Sequence, residues 1–575
     1  MPKVLAINVT SNWGSTGKIA EQIGVLAQNQ GWESYMAYGR HRNPSSLLSF
    51  RVGNDIEVKI HYFLSHFLDC EGLGSWFATR KLIKKIDEIK PDVIHLHNIH
   101  GHYLNYPVLI KHINKREIPV VWTLHDAWII TGHCYLFGGT GCEKWKTECH
   151  HCPMAIKYGL DRSRQNFKRK KQLFTSLKQV ELVTVSKWLK NVIGESFMKD
   201  YPCRTIYNGI DLNVFQPRES DWKKRLGVEN RYMILGVATA WTESKGLSDF
   251  YQLANQLPEQ YKVVLVGLGE EQINDLPANM IGIKKTESQL DLVELYSSAD
   301  VVVSLSKGES FGLTPVEGMA CGTPAVVYDN AALPELITPD TGTVVKAGDI
   351  KGIVDAIKRI CNLSEAEKSA MQRDCIKRSR AHYDTNKNYS DFIGIYNKLI
   401  SNKLMGGGKV ILGVATAWDE RKGFNDYMKL AAILPPSYII VLVGLTDDMI
   451  AQLPQNVVGM GKTNSQGELA ALYSIADVVT SLSVSESMGM TPVEGMACGT
   501  PAIVYDNTAQ PELVTPETGM VVKTGNVESV KNAVLEICAN GKEHYSVHCV
   551  KRASDFFDKN TKFRQYIEFY NEILS

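Results

Sequence analysis

The sequence predicts an α/β protein of parallel sheets covered by helices on both faces. Two observations lead there. Short apolar runs rich in Val and Ile alternate with amphipathic stretches, the pattern of strands buried on both sides. Residues 233–349 also occur twice, and adding 177 to a residue number reaches its counterpart without a gap. Leu235-Gly236-Val237-Ala238-Thr239-Ala240-Trp241 returns as Leu412-Gly413-Val414-Ala415-Thr416-Ala417-Trp418. Roughly six positions in ten agree across the window, and the period is that of a whole α/β domain, far too long for a solenoid unit. The first 200 or so residues have no second copy. The chain therefore reads as a unique domain, 1–217, then two versions of another, 218–400 and 410–575, with 401–409 as a linker.

Taken in order, Lys3–Val9, Val93–Leu96, Val120–Leu124 and Leu182–Val185 are strands of the unique domain. Asn208–Pro217 is a connection. Ile234–Ala238, Val263–Val266, Val301–Leu305 and Ala325–Tyr328 are strands of the first copy, and the second copy repeats their order. Ser401–Lys409, with Gly406-Gly407-Gly408, reads as a flexible linker. Each copy closes with an aromatic-rich helix, Phe392, Ile393, Ile395, Tyr396 and Leu399 in one, Tyr566, Ile567, Phe569, Tyr570 and Ile573 in the other. The spacing gives each helix an apolar stripe that needs a docking surface.

The length of 575 residues suggests three or four domains, and 44% apolar content is enough for several cores. Lys plus Arg at 63 nearly cancels Asp plus Glu at 62, which argues against a nucleic-acid partner held by many phosphate contacts. One local basic run, Arg162, Arg164, Lys168, Arg169, Lys170 and Lys171, is either a solvated helix face or a peripheral contact for an anionic membrane. The sequence has no signal-peptide pattern and no apolar run long enough for a membrane span, so a cytoplasmic location is expected. The 12 cysteines are then expected to be reduced.

Chemistry concentrates around Glu309 and Glu317, with seven residues between them, after the strand Val301–Leu305. The turn Phe311-Gly312-Leu313-Thr314 should open a helix whose free N–H groups can hold phosphate. Gly312 allows close backbone approach, Pro315 suits the first turn, and Glu317 stands one turn in, where it can accept hydrogen bonds from a ribose diol.

This Glu-x7-Glu run, followed by Gly318-Met319-Ala320-Cys321-Gly322-Thr323-Pro324, resembles the donor site of retaining glycosyltransferases of family 4. Lys245-Gly246 resembles the family's diphosphate-binding lysine, Asn208-Gly209-Ile210-Asp211 its interdomain junction, and Pro91–His97 its N-terminal core strand. The resemblance spans almost the whole chain and implies the GT-B fold, two Rossmann-like domains, here with a tandem third. The runs His95–Gly101, Thr123–Trp128 and Thr131–Cys134 resemble more closely the branch that builds exopolysaccharide and colanic-acid-type polymers. One departure stands out: Ala240 and Ala417 occupy the position of a second diphosphate-binding arginine.

The resemblance implies roles. His125 would lie near the donor and acceptor sugars, Lys245 and Glu309 would act at the reacting centre, and Gly17, Gly312, Leu313, Thr314 and Glu317 would bind donor. His95 and His97, two apart on one strand, stand or fall together as cleft residues. Copy two keeps Lys422, Glu486, Gly489 and Glu494, but changes Gly308 to Ser485, Phe311 to Met488 and Leu313 to Met490. The loop Ser11–Lys18 is not a P-loop, because Asn12 replaces its leading glycine and Ile19 its magnesium-binding hydroxyl; it reads as a glycine loop closing on donor phosphates. Cys134, Cys142, Cys149 and Cys152 fall in one segment and could enclose a structural zinc or simply pack a long loop.

The expected activity is transfer of a sugar from a nucleotide-sugar to a lipid-linked or saccharide acceptor, with no cofactor required for the chemistry. Two alternatives stand beside it: a nucleotide-sugar-binding regulatory or scaffold protein, and a nucleotide-sugar epimerase of the same fold. The sequence leaves the sugar, the base, the acceptor and the oligomeric state open.

Overall fold

The computed structural model describes the chain outside residues 137–140, 155–159, 405–407, 464–465 and 575, and only the backbone of 401–404. It divides into two compact units, Met1–Ile393 and Gly394–Ser575.

The first unit holds two wholly parallel sheets. The first contains β1 (Lys3–Asn8), β2 (Glu33–Tyr38), β3 (Leu48–Arg51), β4 (Val93–Leu96), β5 (Val120–Leu124), β6 (Val180–Thr184) and β7 (Cys203–Thr205), in the order β3-β2-β1-β4-β5-β6-β7. The second contains β8 (Tyr232–Val237), β9 (Tyr261–Val266), β10 (Met280–Ile283), β11 (Val301–Ser304), β12 (Ala325–Asp329) and β13 (Gly342–Lys346), in the order β10-β9-β8-β11-β12-β13. Both are doubly wound, Rossmann-like sheets that reverse direction beside their first strand. The predicted strands fall where the apolar runs placed them, because a run buried on both faces has no other stable home.

The two sheets are tied together at a hinge. The chain leaves the first through Tyr207–Ile210 and returns through Tyr383–Tyr389. Ile210 N–H donates to Tyr383 O at 2.8 Å, and Thr385 N–H to Ile210 O at 3.2 Å. Gly209 N–H donates to the Tyr389 hydroxyl at 3.0 Å. Gly209 has no room for a side chain, since a Cβ there would meet Thr385 Cα at 2.4 Å. Across the cleft, Glu335 accepts the N–H groups of Lys187 and Trp188, which open the helix Lys187–Gly194, and the Tyr207 hydroxyl at 3.2 Å. A carboxylate at a helix N-terminus satisfies free donors and complements the dipole.

The second unit holds β14 (Lys409–Val414), β15 (Tyr438–Val443), β16 (Val457–Met460), β17 (Val478–Ser481), β18 (Ala502–Tyr505) and β19 (Gly519–Val522), in the order β16-β15-β14-β17-β18-β19. This is the strand order of the second sheet again. Residues 401–404, read as the start of a linker, instead form the last turn of the helix Thr385–Leu404, since Ser401-Asn402-Lys403-Leu404 contains no helix breaker. The glycines at 406 and 407 lie outside the described residues.

The two terminal helices have opposite fates. Tyr389, Phe392, Ile393, Ile395, Tyr396 and Leu399 are buried, with the Phe392 ring 5.1 Å from that of His95. Adding 174 gives Phe563, Tyr566, Ile567, Phe569, Tyr570 and Ile573 on the helix Lys559–Leu574, and all six are exposed. The second stripe therefore lacks the docking surface its spacing demands. Among the described residues no helix is long and apolar enough to cross a membrane.

Gly209→Ala is expected to lower stability by about 1–3 kcal/mol, the usual cost of forcing extra volume against backbone. A denaturant midpoint equal to wild type would contradict that hinge.

Candidate active site

Ligands of doubly wound sheets bind beyond the carboxyl ends of the strands, at the point where the strand order reverses. In the first unit those points are the ends of β1 and β4 on one sheet and of β8 and β11 on the other. Gly17, His97, Lys245 and Glu309 follow these four ends, and His125 follows the end of the neighbouring β5.

On the second sheet, β8 runs into a 3-10 turn, Glu243–Lys245, closed by Gly246 at φ 77°. Lys307 N–H donates to Ser244 O at 2.8 Å and pins this turn to the loop after β11. Lys245 Nζ thereby meets Glu309 Oε1, which also accepts the Ser306 hydroxyl at 3.0 Å. The helix Leu313–Ala320 starts at Gly312, whose φ of 104° suits only glycine, and a Cβ there would also strike Leu333 Cδ2 at 2.7 Å. Thr314 Oγ1 donates to Val237 O at 3.3 Å and fixes the first turn against β8. Leu313 is partly exposed beside it. Glu317 accepts the Tyr296 hydroxyl at 2.8 Å. Burial raises the Glu317 carboxyl above its ordinary pKa, opposed by Tyr296 and by Lys18 from the first sheet's side. Phe311 is buried between Tyr207 and Tyr383, with ring centroids 6.0 and 5.9 Å away, so the turn is anchored at the hinge.

On the first sheet three histidines stack inward. His95 Nε2 meets Thr123 Oγ1 at 2.7 Å, and His97 Nδ1 meets His125 Nε2 at 3.1 Å. Burial lowers the pKa of His95 to about 3 and of His125 to about 4, and pushes that of His97 well down, so all three are neutral at neutral pH. His95 is buried behind the wall, while His97 and His125, the latter the least buried of the three, both line the small pocket at its edge. Asp126 does not hold His125. It pairs with His100, Oδ2 to Nε2 at 2.8 Å, and accepts Trp128 N–H at 2.9 Å.

His100 opens onto a group that the sequence did not bring together. Burial works against its charged ring, but the carboxylates of Asp126 and Glu71 outweigh this and raise its pKa. Glu71 accepts Gly101 N–H at 3.2 Å and the Tyr135 hydroxyl at 2.6 Å. Burial favours its neutral form, yet His100, His102 and Tyr135 keep it below the usual carboxylate range. Lys170, read as part of a basic surface run, is buried; its Nζ donates to Trp128 O and Thr131 O at 2.6 and 3.0 Å, and burial lowers its pKa to about 7. Arg164 and Lys168 are paired with Glu148 at 3.1 and 3.0 Å. That run is thus largely committed internally. The clue to His100 was its place in His95-Leu96-His97-Asn98-Ile99-His100-Gly101, while Glu71 had no motif around it.

Gly17 sits in the helix Gly14–Asn29, not in a loop, and faces Thr10, whose Oγ1 a Cβ would meet at 2.6 Å. It serves helix packing there. Gly14, at φ 65° with open space around it, opens the helix, and Lys18 is the exposed cation one turn on.

The cysteine segment forms a rim of the cleft: a Cβ on Gly308 would lie 3.8 Å from Leu136 Cδ1. Cys134 and Cys152 Sγ stand 3.8 Å apart, and Cys149 Sγ accepts Gly132 N–H at 3.3 Å. Among the described residues no three His, Cys, Asp or Glu side chains are gathered so as to hold a metal ion.

The second unit repeats the donor-side geometry. Lys422 Nζ meets Glu486 Oε1, the Tyr473 hydroxyl donates to Glu494 Oε2 at 2.8 Å, and Gly489 at φ 80° opens the helix Met490–Ala497. Met488 is exposed where Phe311 is buried, and Met490 is exposed where Leu313 is partly so.

Comparison with known proteins agrees with this architecture. The family described as Glycosyl transferases group 1 matches residues 218–382 and again 398–554, and Glycosyltransferase Family 4 matches 23–214. A protein named for colanic acid biosynthesis, the glycosyl transferase WcaC of Escherichia coli K12, is 23% identical over 427 residues, covering 69% of this chain and all of its own. The lipopolysaccharide core mannosyltransferase LpcC of Rhizobium leguminosarum is 28% identical over 256 residues, covering 40% of this chain and 72% of its own. Among solved structures, sucrose-phosphate synthase of Thermosynechococcus elongatus matches with a TM-score of 0.52 at 16% identity, covering 70% of this chain and all of that one. A glycosyltransferase of Rickettsia africae matches with 0.51 at 14% identity, covering 70% and 99%. With group 1 matching more than half of its length, the chain belongs to the group 1 glycosyl transferases, enzymes of the GT-B fold.

Proposed function

We propose that the first unit is a retaining transferase that moves a hexose from a nucleotide-sugar to a lipid-linked or saccharide acceptor during surface polysaccharide assembly. The observation that carries this is one cleft with a lysine and a helix N-terminus on one wall and a neutral histidine and a charged polar cluster on the other. The polysaccharide setting draws on relatives named for colanic acid and lipopolysaccharide core synthesis.

In this reading Lys245 and the N–H groups after Gly312 receive the diphosphate. They stabilise the charge that grows as the bond from sugar C1 to phosphate oxygen breaks, the largest electrostatic contribution to such a step. Glu309 holds Lys245 in place until phosphate arrives. Glu317 accepts the ribose hydroxyls, with Tyr296 fixing its other side. Leu313 and Thr314 frame the sugar-diphosphate, and Lys18 supplies the cation that Ala240 does not. The acceptor oxygen bonds to C1 from the face the diphosphate leaves, and its proton passes to the departing phosphate oxygen. His125, neutral, hydrogen-bonds the sugar, while Glu71 and His100 bind acceptor hydroxyls. A thermal-shift screen with UDP-, GDP- and ADP-sugars identifies the donor, since a bound ligand raises apparent stability.

Copy one is proposed as the working donor domain, because Phe311 anchors its turn to the hinge. Lys245→Ala with Glu317→Ala in the full chain is expected to reduce transfer by at least about a hundredfold, the scale of losing one transition-state donor. Lys422→Ala with Glu494→Ala is expected to leave it within twofold. The reverse pattern would assign catalysis to copy two, whose own donor contacts make it a second nucleotide-sugar site on this reading.

The His125 pKa of about 4 has a kinetic signature. An ordinary histidine acting neutral would lose activity as pH falls through about 6.5. Here His125 is expected to contribute no limb to kcat/KM near that value, and a limb there that vanishes in His125→Asn would refute the neutral assignment.

The cysteine segment is proposed as a structural zinc clip that steadies the rim loop of Tyr135 and Leu136, with no part in the chemistry. Its support is the 3.8 Å between Cys134 and Cys152 Sγ, the edge expected of a zinc tetrathiolate with Zn–S of about 2.3 Å. Elemental analysis should find one zinc per chain, absent from Cys134→Ser/Cys152→Ser; a metal-free wild type would rule the clip out.

A further inference from the structure

The helix Asp55–Leu68 is amphipathic in the wrong sense for the surface of a globular domain. Its one buried side chain is polar. His61 Nδ1 meets Ser75 Oγ at 2.9 Å, and His61 Nε2 accepts the N–H groups of Gly72 and Gly74 at 3.1 Å each. Its outward face is apolar: Ile56 is 70% exposed, Ile60 56%, Phe63 61% and Phe67 54%. These residues, with Leu64 and the stem of Lys59, line one continuous open groove. Trp76 and Phe77, at the start of the next helix, are exposed as well. Exposed apolar surface of this extent on one helix marks an interaction site.

Cations stand at its margin. Lys59 is in the groove wall, and Arg80 lies over the Trp76 ring at 4.5 Å with exposed Lys81 beside it in sequence. The nearby carboxylates are engaged: Asp55 with Arg51, Glu57 in the capping box with Asn54, and Asp69 with His133 and Arg162. An apolar, aromatic-bearing helix face with cations at its margin fits the headgroup zone of an anionic bilayer.

The same helix feeds the cleft. Asp69–Ser75 follows directly, and Glu71 in that loop is bound to Tyr135 and to Gly101 beside His100. We propose that the face of Ile56, Ile60, Phe63 and Phe67 docks on an anionic lipid surface, which sets the Glu71–His100 wall where a saccharide anchored in that surface can reach it. The surface role rests on the transferase reading only for its purpose. It differs from the basic run at 162–171, whose charges are largely spent within the fold.

The test is flotation of the full chain with phosphatidylcholine vesicles, with and without a third of phosphatidylglycerol. Wild type is expected to float with the anionic vesicles and much less with the neutral ones. Phe63→Ser/Phe67→Ser should lower that partitioning at least tenfold while leaving the melting temperature and donor-nucleotide binding unchanged. Lys59→Glu/Lys81→Glu should abolish the preference for anionic lipid. Failure of wild type to float, or flotation of the phenylalanine variant like wild type, would overturn the proposal. So would a change of oligomeric state in that variant without any effect on vesicles, which would make the face a contact between copies. Consumption of donor is scored separately. If it never occurs while flotation behaves as expected, the transferase reading fails and the docking surface stands.

Discussion

The Glu335 carboxylate, set on the N-terminus of the helix Lys187–Gly194, is the contact on which the first unit's cleft depends. It reaches from the second sheet's side to the first, beside the paired backbones of Ile210 and Asp384. Arg378 holds the loop that carries Glu335, donating to Leu336 O and Glu335 O at 2.6 and 2.8 Å. Phe311 packs into the same hinge. The Gly312 turn, the crossing helix and the interdomain closure are therefore one mechanical assembly. In the second unit Arg552 holds the corresponding carbonyls at 2.7 and 2.6 Å, but the matching carboxylate, Glu512, is exposed. The local apparatus was copied, and the partner it reaches for occurs once in the sequence.

The cleft's two walls use opposite electrostatic strategies. On the second sheet's wall the Lys245 and Glu309 side chains are partly exposed, at 38% and 21%, so their ion pair stays in contact with solvent. On the other side charge is buried and mutually compensated, with His100 between two carboxylates and Lys170 behind them. Such a group is stable only as a whole, since removing one partner strands the others. It gives the wall fixed polarity and little freedom to rearrange.

Much of this was legible in the residues. Strands buried on both faces announce themselves as Val- and Ile-rich runs, and the 177-residue repeat exposes the domain plan directly. The Gly312 turn was readable because its geometry demands particular residue types. What stayed hidden depends on distant packing. Gly17 sits in a glycine-rich loop pattern, yet it lies within a helix and packs against Thr10. Lys170 lies in a basic run, yet is buried under Trp128. Glu71 is a lone carboxylate in an unremarkable loop, and only the fold brings it to His100. The helix Lys559–Leu574 carries the same periodicity as Thr385–Leu404, so periodicity alone could not separate a docked helix from an undocked one.

That last pair carries a consequence for how such a chain evolves. Duplication of a sequence segment conserves everything encoded within it, including a closing helix with its greasy side intact. It cannot conserve a surface encoded elsewhere. Six residues that a helix hides in one copy are hydrated in the other, each at roughly 25 cal/mol per Å² of apolar area left in water. The exposed stripe stays a liability until mutation polarises it or some other surface is recruited to cover it.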